Sequence, residues 1–266
     1  MAGMPRVVAE LGPGDSLGIG LAALLSGSER YQAFDVVRFA LHGHNIRMLE
    51  ELAGLFRRQA AIPDDTEFPN LFPRLDNYDF PLEVLGGAIL NEAVLETRAT
   101  AVRHALEEME KGRNPGEISY SVPWNTRAAL DEESVDLIIS QAVLEHVDAL
   151  GEAYVAMYRW LRQGGFISHE IDFKSHGTAK EWNGHWGYGA LLWRIIRGNR
   201  TYLLNREPCS IHLKNIEAAG FALKYLQREP IAGGIPIQGL YRDYRGLPAD
   251  DLITGSAYVL ACKEIT

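Results

Sequence analysis

The sequence predicts a doubly wound α/β fold, and three stretches carry that expectation. The first is Val7 to Gly18, where an apolar Val-Val-Ala run meets Gly12-Pro13-Gly14 and then leucines at helical spacing. The second is Ser134 to Asp172, a buried-strand pattern, an amphipathic helix, a Gly-Gly pair and another strand pattern. The third is the closing pair of strand-like runs, Phe221 to Arg228 and Ala257 to Lys263. Continuous apolar runs joined by helical periodicity indicate parallel strands covered on both faces.

The opening unit reads as strand, turn and helix. Ser16 is a candidate N-cap for the helix marked by Leu17, Leu21, Leu24 and Leu25. In a doubly wound sheet a ligand lies over this first turn, and glycines at 12 and 14 let it approach the backbone. A dinucleotide fingerprint requires G-x-G-x-x-G. Here Gly12 and Gly14 are followed by Asp15, Ser16, Leu17 and only then Gly18. Glu10 ends the strand and Asp15 lies in the turn, so a pyrophosphate would be repelled despite the helix N-terminus. A ligand carrying an ammonium and a sulfonium would be attracted. Asp35, after a second short strand from Tyr31 to Phe34, stands at the distance where an acid accepts ribose hydroxyls.

The Glu-Leu-Gly-Pro-Gly-Asp run resembles the first motif of class I S-adenosylmethionine-dependent methyltransferases. The passage Val-Asp-Leu-Ile-Ile-Ser, Leu-Glu-His-Val, Leu-Arg-Gln-Gly-Gly-Phe resembles the second hallmark of the same superfamily. Two motifs in the right order are far more specific than one. The resemblance implies a Rossmann-like sheet with a terminal antiparallel strand pair, and S-adenosylmethionine as cofactor. It covers the chain except for residues 38–114. It implies cofactor contacts from Glu10, Gly12, Gly14, Asp15, Asp35, Trp124, Asn125 and Gln141. Trp124 would stack on the adenine and Asn125 would bond its amino group; packing in the core is an equal alternative for Trp124. No Asp follows the third strand, Glu117 to Val122, where the family often has one.

Composition narrows the class. The chain has 266 residues and 47% hydrophobic content, expected as one domain with an insertion. Lys+Arg 26 against Asp+Glu 35 gives a net charge of −9, which argues against nucleic acid or an anionic membrane as the main partner while leaving room for a local basic patch. Cys209 and Cys262 show no metal-ligand spacing, which suits a cytoplasmic protein. No apolar run reaches the roughly 20 residues of a membrane helix, and no signal-peptide segment opens the chain.

Residues 38–114 read as a mostly helical insertion after the second strand that covers the ligand; an enlarged helix layer packed on the sheet is the slightly weaker reading, and both can hold. Ile46, Leu49, Leu52, Ala53 and Phe56 share one helical face. A Pro-rich loop from Ile62 to Pro81 follows, then one long helix from Leu82 to Lys111, weakened at Gly86-Gly87. Asp148 is a candidate N-cap for the helix after the fourth strand, and Gly164-Gly165 is expected to end it. Residues 174–209 form an aromatic and Arg-rich substrate-side insertion; most of its aromatics, taken singly, fit ordinary packing better than ligand contact.

Methyl transfer to a hydroxyl needs a base. His146 as base with Asp172 as partner is the expected pair, at the ends of strands four and five; His169 and His176 lie nearby. Capping or core packing is an equal reading of His146, and the Asp172–His176 spacing also fits two ligands of a divalent metal. The expected acceptor is a small molecule, a sugar, glycan precursor or secondary metabolite, and a homodimer is left open. A cofactor-binding scaffold without catalysis is the alternative, and a nicotinamide-dependent oxidoreductase a weaker one.

Overall fold

The computed structural model describes residues 3–40, 42–68, 72–87, 91–123 and 130–265. Its sheet has seven strands in the order β3-β2-β1-β4-β5-β7-β6. These are β1 (Val7–Leu11), β2 (Arg30–Phe34), β3 (Ile118–Ser121), β4 (Val135–Gln141), β5 (Leu161–Asp172), β6 (Ala222–Pro230) and β7 (Thr254–Cys262). The chain divides into two compact units, Met1–Ser140 with Arg159–Phe166 and Ile265–Thr266, and Gln141–Tyr158 with Ile167–Glu264.

In the first unit β1 lies parallel between β2 and β4, with Val8 opposite Tyr31 on one side and Leu137 on the other. All five residues of β1 are buried, which is why its sequence shows no polar alternation. Helix α1 (Gly18–Leu25) covers it with Leu21, Leu24 and Leu25. Gly20 allows that approach, because a Cβ there would sit 2.1 Å from the Tyr31 ring. Ser16 is not the N-cap: Leu17 occupies that position, and the Ser16 hydroxyl lies 3.4 Å from the Gly18 amide. The Leu17 amide is satisfied by the buried Asn45 side chain instead, at 2.9 Å.

Asn45 belongs to α2 (His42–Arg58), whose Leu49 and Ala53 enter the core, flanked by the half-buried Ile46, Leu52 and Phe56. The expected long helix from Leu82 is broken. A short α3 (Leu82–Leu85) ends at Gly86, where a Cβ would meet the Leu82 carbonyl at 2.5 Å. Helix α4 (Glu92–Glu110) starts afresh with Asn91 as N-cap, its side chain accepting from Ala93 N at 3.0 Å. Leu95, Ala99, Val102, Ala105 and Leu106 of α4 join the same core as α1 and α2. Residues 38–114 are thus mostly helical and packed on the sheet.

Helix α5 (Leu150–Trp160) stops earlier than its glycines suggested, and Gly164-Gly165 lies within β5. Gly165 serves close approach, since a Cβ there would lie 2.9 Å from the Arg162 carbonyl and 3.1 Å from that of Asp136, while Gly164 adopts φ +78°. Asp148 does not cap α5. Its carboxylate pairs with Arg197 at 2.6 Å, and the first helical bond runs from Ala153 N to Ala149 O.

In the second unit β6 and β7 form the expected antiparallel pair, from Ala222↔Cys262 to Pro230↔Thr254. Helix α7 (Cys209–Ala218) has its Ser210 amide satisfied by Asp251 at 3.0 Å, and Gly220 follows its end with φ +100°. Helix α6 (Ala190–Arg197) precedes it. No helix among the described residues is long and apolar enough to cross a membrane.

Candidate active site

Within the first unit the turn after β1 is anchored by the Gly12 amide, which donates to the Phe34 carbonyl at 2.7 Å. Gly12 and Gly14 have φ of +64° and +71°, left-handed backbone that a side chain would strain. A Cβ on Gly14 would meet nothing within 4 Å, so the space beside it is open.

Asp35 follows β2 and is buried, 5% exposed. One carboxylate oxygen accepts the Val36 amide at 2.7 Å, while the other is buried without a partner. Such an oxygen is costly unless a ligand satisfies it. Glu10 is buried too, its carboxyl held by the Tyr31 hydroxyl. Burial pushes Glu10 up to about 7; the Tyr31 bond opposes that and the Asp35 charge adds to it. At neutral pH Glu10 therefore carries part of a charge rather than a full one. Asp15 is exposed. Trp124 and Asn125 lie outside the described residues.

In the second unit the ends of β4 and β5 gather titratable groups. Gln141 is tied to Glu170 through its amide nitrogen at 2.9 Å. A 3-10 turn, Leu144–His146, follows. Asp172 does not pair with His146. Its partners are His176 at 3.3 Å and Lys174 at 2.9 Å, with the Lys174 amide at 2.7 Å. Burial pushes the Asp172 carboxyl up, but these three contacts outweigh it and bring it down to about 2. His146 stands edge-on to His176, ring centroids 5.3 Å apart. Burial, then the His176 charge, push His146 below its ordinary value, and its Nδ1 has no hydrogen-bond partner. His176 itself adopts φ +45°.

Glu145 is 2% exposed, and no hydrogen bond of normal geometry reaches either carboxylate oxygen. Burial, then the Asp172 charge, push it up to about 8. His169 is wholly buried, and burial brings it down to about 3. Among the described residues no group of three or more His, Cys, Asp or Glu is placed to hold a metal ion.

The aromatic segment turns mostly inward. Trp186 donates to the Arg206 carbonyl at 2.9 Å, and the Arg206 guanidinium lies 4.6 Å from the Trp193 ring centre while bonding the Tyr188 carbonyl at 2.7 Å. These residues pack on one another, as their single-residue reading anticipated. Sequence reasoning missed Tyr31, Asn45 and Glu145. Asn45 showed no signal, whereas Glu145 stands beside His146 in the Leu-Glu-His-Val passage already singled out.

Comparison with solved structures gives the fold a precedent. An S-adenosylmethionine-dependent methyltransferase from Mesorhizobium loti aligns with a TM-score of 0.50 at 14% identity, over 98% of this chain and 91% of that one. One from Methanosarcina mazei aligns with a TM-score of 0.49 at 12% identity, over 99% and 94%. No curated protein matches the chain. Residues 88–168 match a family model described as a methyltransferase domain. The fold is therefore that of S-adenosylmethionine-dependent methyltransferases, and residues 88–168 are similar to a methyltransferase domain.

The first unit fits the methyltransferase cofactor. The unpartnered Asp35 oxygen suits a ribose hydroxyl, and the open glycine turn leaves room beside the backbone. Asp35→Asn removes the charge from that acceptor. A hydrogen bond to a charged group contributes about 1.5–3 kcal/mol, so calorimetric titration is expected to show S-adenosylhomocysteine binding weakened on the order of 10- to 100-fold.

Glu145 makes a pH-dependent prediction. Its native value of about 8 lies above the ordinary 4.5, so between those pH values the native state holds a proton that the unfolded chain has released. The stability it contributes is present below 4.5 and lost as pH rises to about 8. Glu145→Gln is expected to melt higher than the parent at pH 9, with the gap closing toward pH 5. Melting curves across that range check it, and parallel curves would refute it.

Proposed function

We propose that this methyltransferase acts on a hydroxyl of a small molecule, a sugar, glycan precursor or secondary metabolite, with His146 as the base. The observation that carries the reading is a half-buried imidazole held neutral, with one unpartnered nitrogen, beside an ordered Asp172–His176 pair. An alcohol must lose its proton as the new C–O bond forms, whereas a neutral amine attacks without help, so a poised base favours oxygen.

S-adenosylmethionine supplies a methyl group already activated on a sulfonium. The protein then has to hold the donor, align the acceptor and remove one proton. Asp35 and the Gly12–Gly14 turn are assigned to the donor, with Trp124 and Asn125 as further contacts. Asp172 fixes the His176 ring, and the His176 charge helps to keep His146 neutral and able to accept a proton. Asp172 therefore acts on the base through His176. The helices of residues 38–114 serve the donor side, since Asn45 of α2 fixes the residue that opens α1.

A labelled-methyl screen over sugars, phenols and amines tests the acceptor class. Label is expected on hydroxyls; label confined to amines would contradict the reading. With a labelled acceptor in hand, His146→Ala is expected to lower turnover about 10²- to 10⁴-fold and leave S-adenosylhomocysteine affinity unchanged. Activity of the parent is expected to fall on the acid side only below the ordinary histidine range, because His146 is shifted down.

A further inference from the structure

Helix α6 presents one face to the protein and another to solvent. Trp193 is 7% exposed under the Arg206 guanidinium, while Leu191, Leu192 and Ile195 are 66%, 47% and 69% exposed. Those three positions stand at i, i+1 and i+4, side by side on the outer face. Gly198, with φ +54°, ends the helix, and the exposed Tyr202 follows.

The charge around this apolar face runs against that of the chain. From Trp182 to Arg206 there are four arginines and no acid, in a protein of net charge −9. Arg206 is turned inward and Arg197 is tied to Asp148. Arg194 is exposed, and Arg200, also exposed, donates to the Arg197 and Ile196 carbonyls at the end of the helix; among the described residues neither pairs with a carboxylate. The outward face is therefore a short apolar strip rimmed by cations.

We propose that α6 is an interfacial helix that docks the protein on an anionic membrane surface, its leucines and isoleucine entering the acyl boundary and its arginines meeting lipid headgroups. A second copy is a poorer occupant, because a two-fold contact centred on this face would bring its arginines toward one another. The strip is joined to the loop that carries His146. Arg197 pairs with Asp148, and Asn205 donates to the Leu144 and Val147 carbonyls at 2.8 and 3.0 Å. Docking at α6 thus brings the loop of the proposed base to the membrane surface.

Cosedimentation with vesicles tests this and needs neither methyl donor nor acceptor, so its outcome is separate from the acceptor reading. The full chain is expected to sediment with phosphatidylcholine vesicles containing phosphatidylglycerol, to stay in solution with phosphatidylcholine alone, and to be released by salt. The double variant Leu191→Asp, Ile195→Asp and the single variant Arg194→Glu are each expected to reduce binding about tenfold or more, with melting temperatures unchanged because these side chains are exposed. Three results would overturn the proposal: no sedimentation with anionic vesicles at low salt, binding indifferent to the substitutions, or a solution dimer that the Asp variant splits.

Discussion

A single buried oxygen is the constraint on which the proposed ligand site of the first unit depends. Asp35 sits at the end of β2 with one carboxylate oxygen on the Val36 amide and the other out of water without a partner. Parallel pairing of β1 with β2 fixes where that side chain emerges, and the Gly12 amide on the Phe34 carbonyl fixes the turn next to it. A folded protein retains such an unsatisfied group when a bound molecule completes it.

In the sequence Glu10 and Asp15 are two acids flanking the turn. Burial and the Tyr31 hydroxyl make Glu10 a partly neutral structural group near pH 7, while Asp15 faces solvent. Repulsion of a pyrophosphate then rests more on Asp35 and Asp15 than on Glu10. The chain Gly20–Tyr31–Glu10 shows how a glycine inside a helix, costly for helix formation, serves the site: it makes room for the ring whose hydroxyl holds the carboxyl.

Elements with a strong period were legible. The buried runs of β1 and β4, the apolar face of α2 and the terminal antiparallel pair all lie where the pattern put them, within a few residues. The misses came where tertiary contacts outcompete local signals. Ser16 looked like a cap, but Asn45, distant in sequence, is better aimed at the Leu17 amide. Asp148 looked like a cap, but Arg197 attracts it. Gly164-Gly165 looked like a helix stop, but in the strand Gly164 takes a left-handed backbone and Gly165 permits close approach. Gly86 was read as a weak point and proves to be a break. In the candidate site the carboxylate–histidine pairing was half legible: Asp172 was chosen, yet its imidazole partner is His176 rather than His146.

The account turns on Asp35, and a crystal structure grown with S-adenosylhomocysteine tests it most directly. The prediction is a ribose hydroxyl within hydrogen-bonding distance of the carboxylate oxygen that now lacks a partner. Clear density for the nucleoside elsewhere, with that oxygen still unsatisfied, would contradict it.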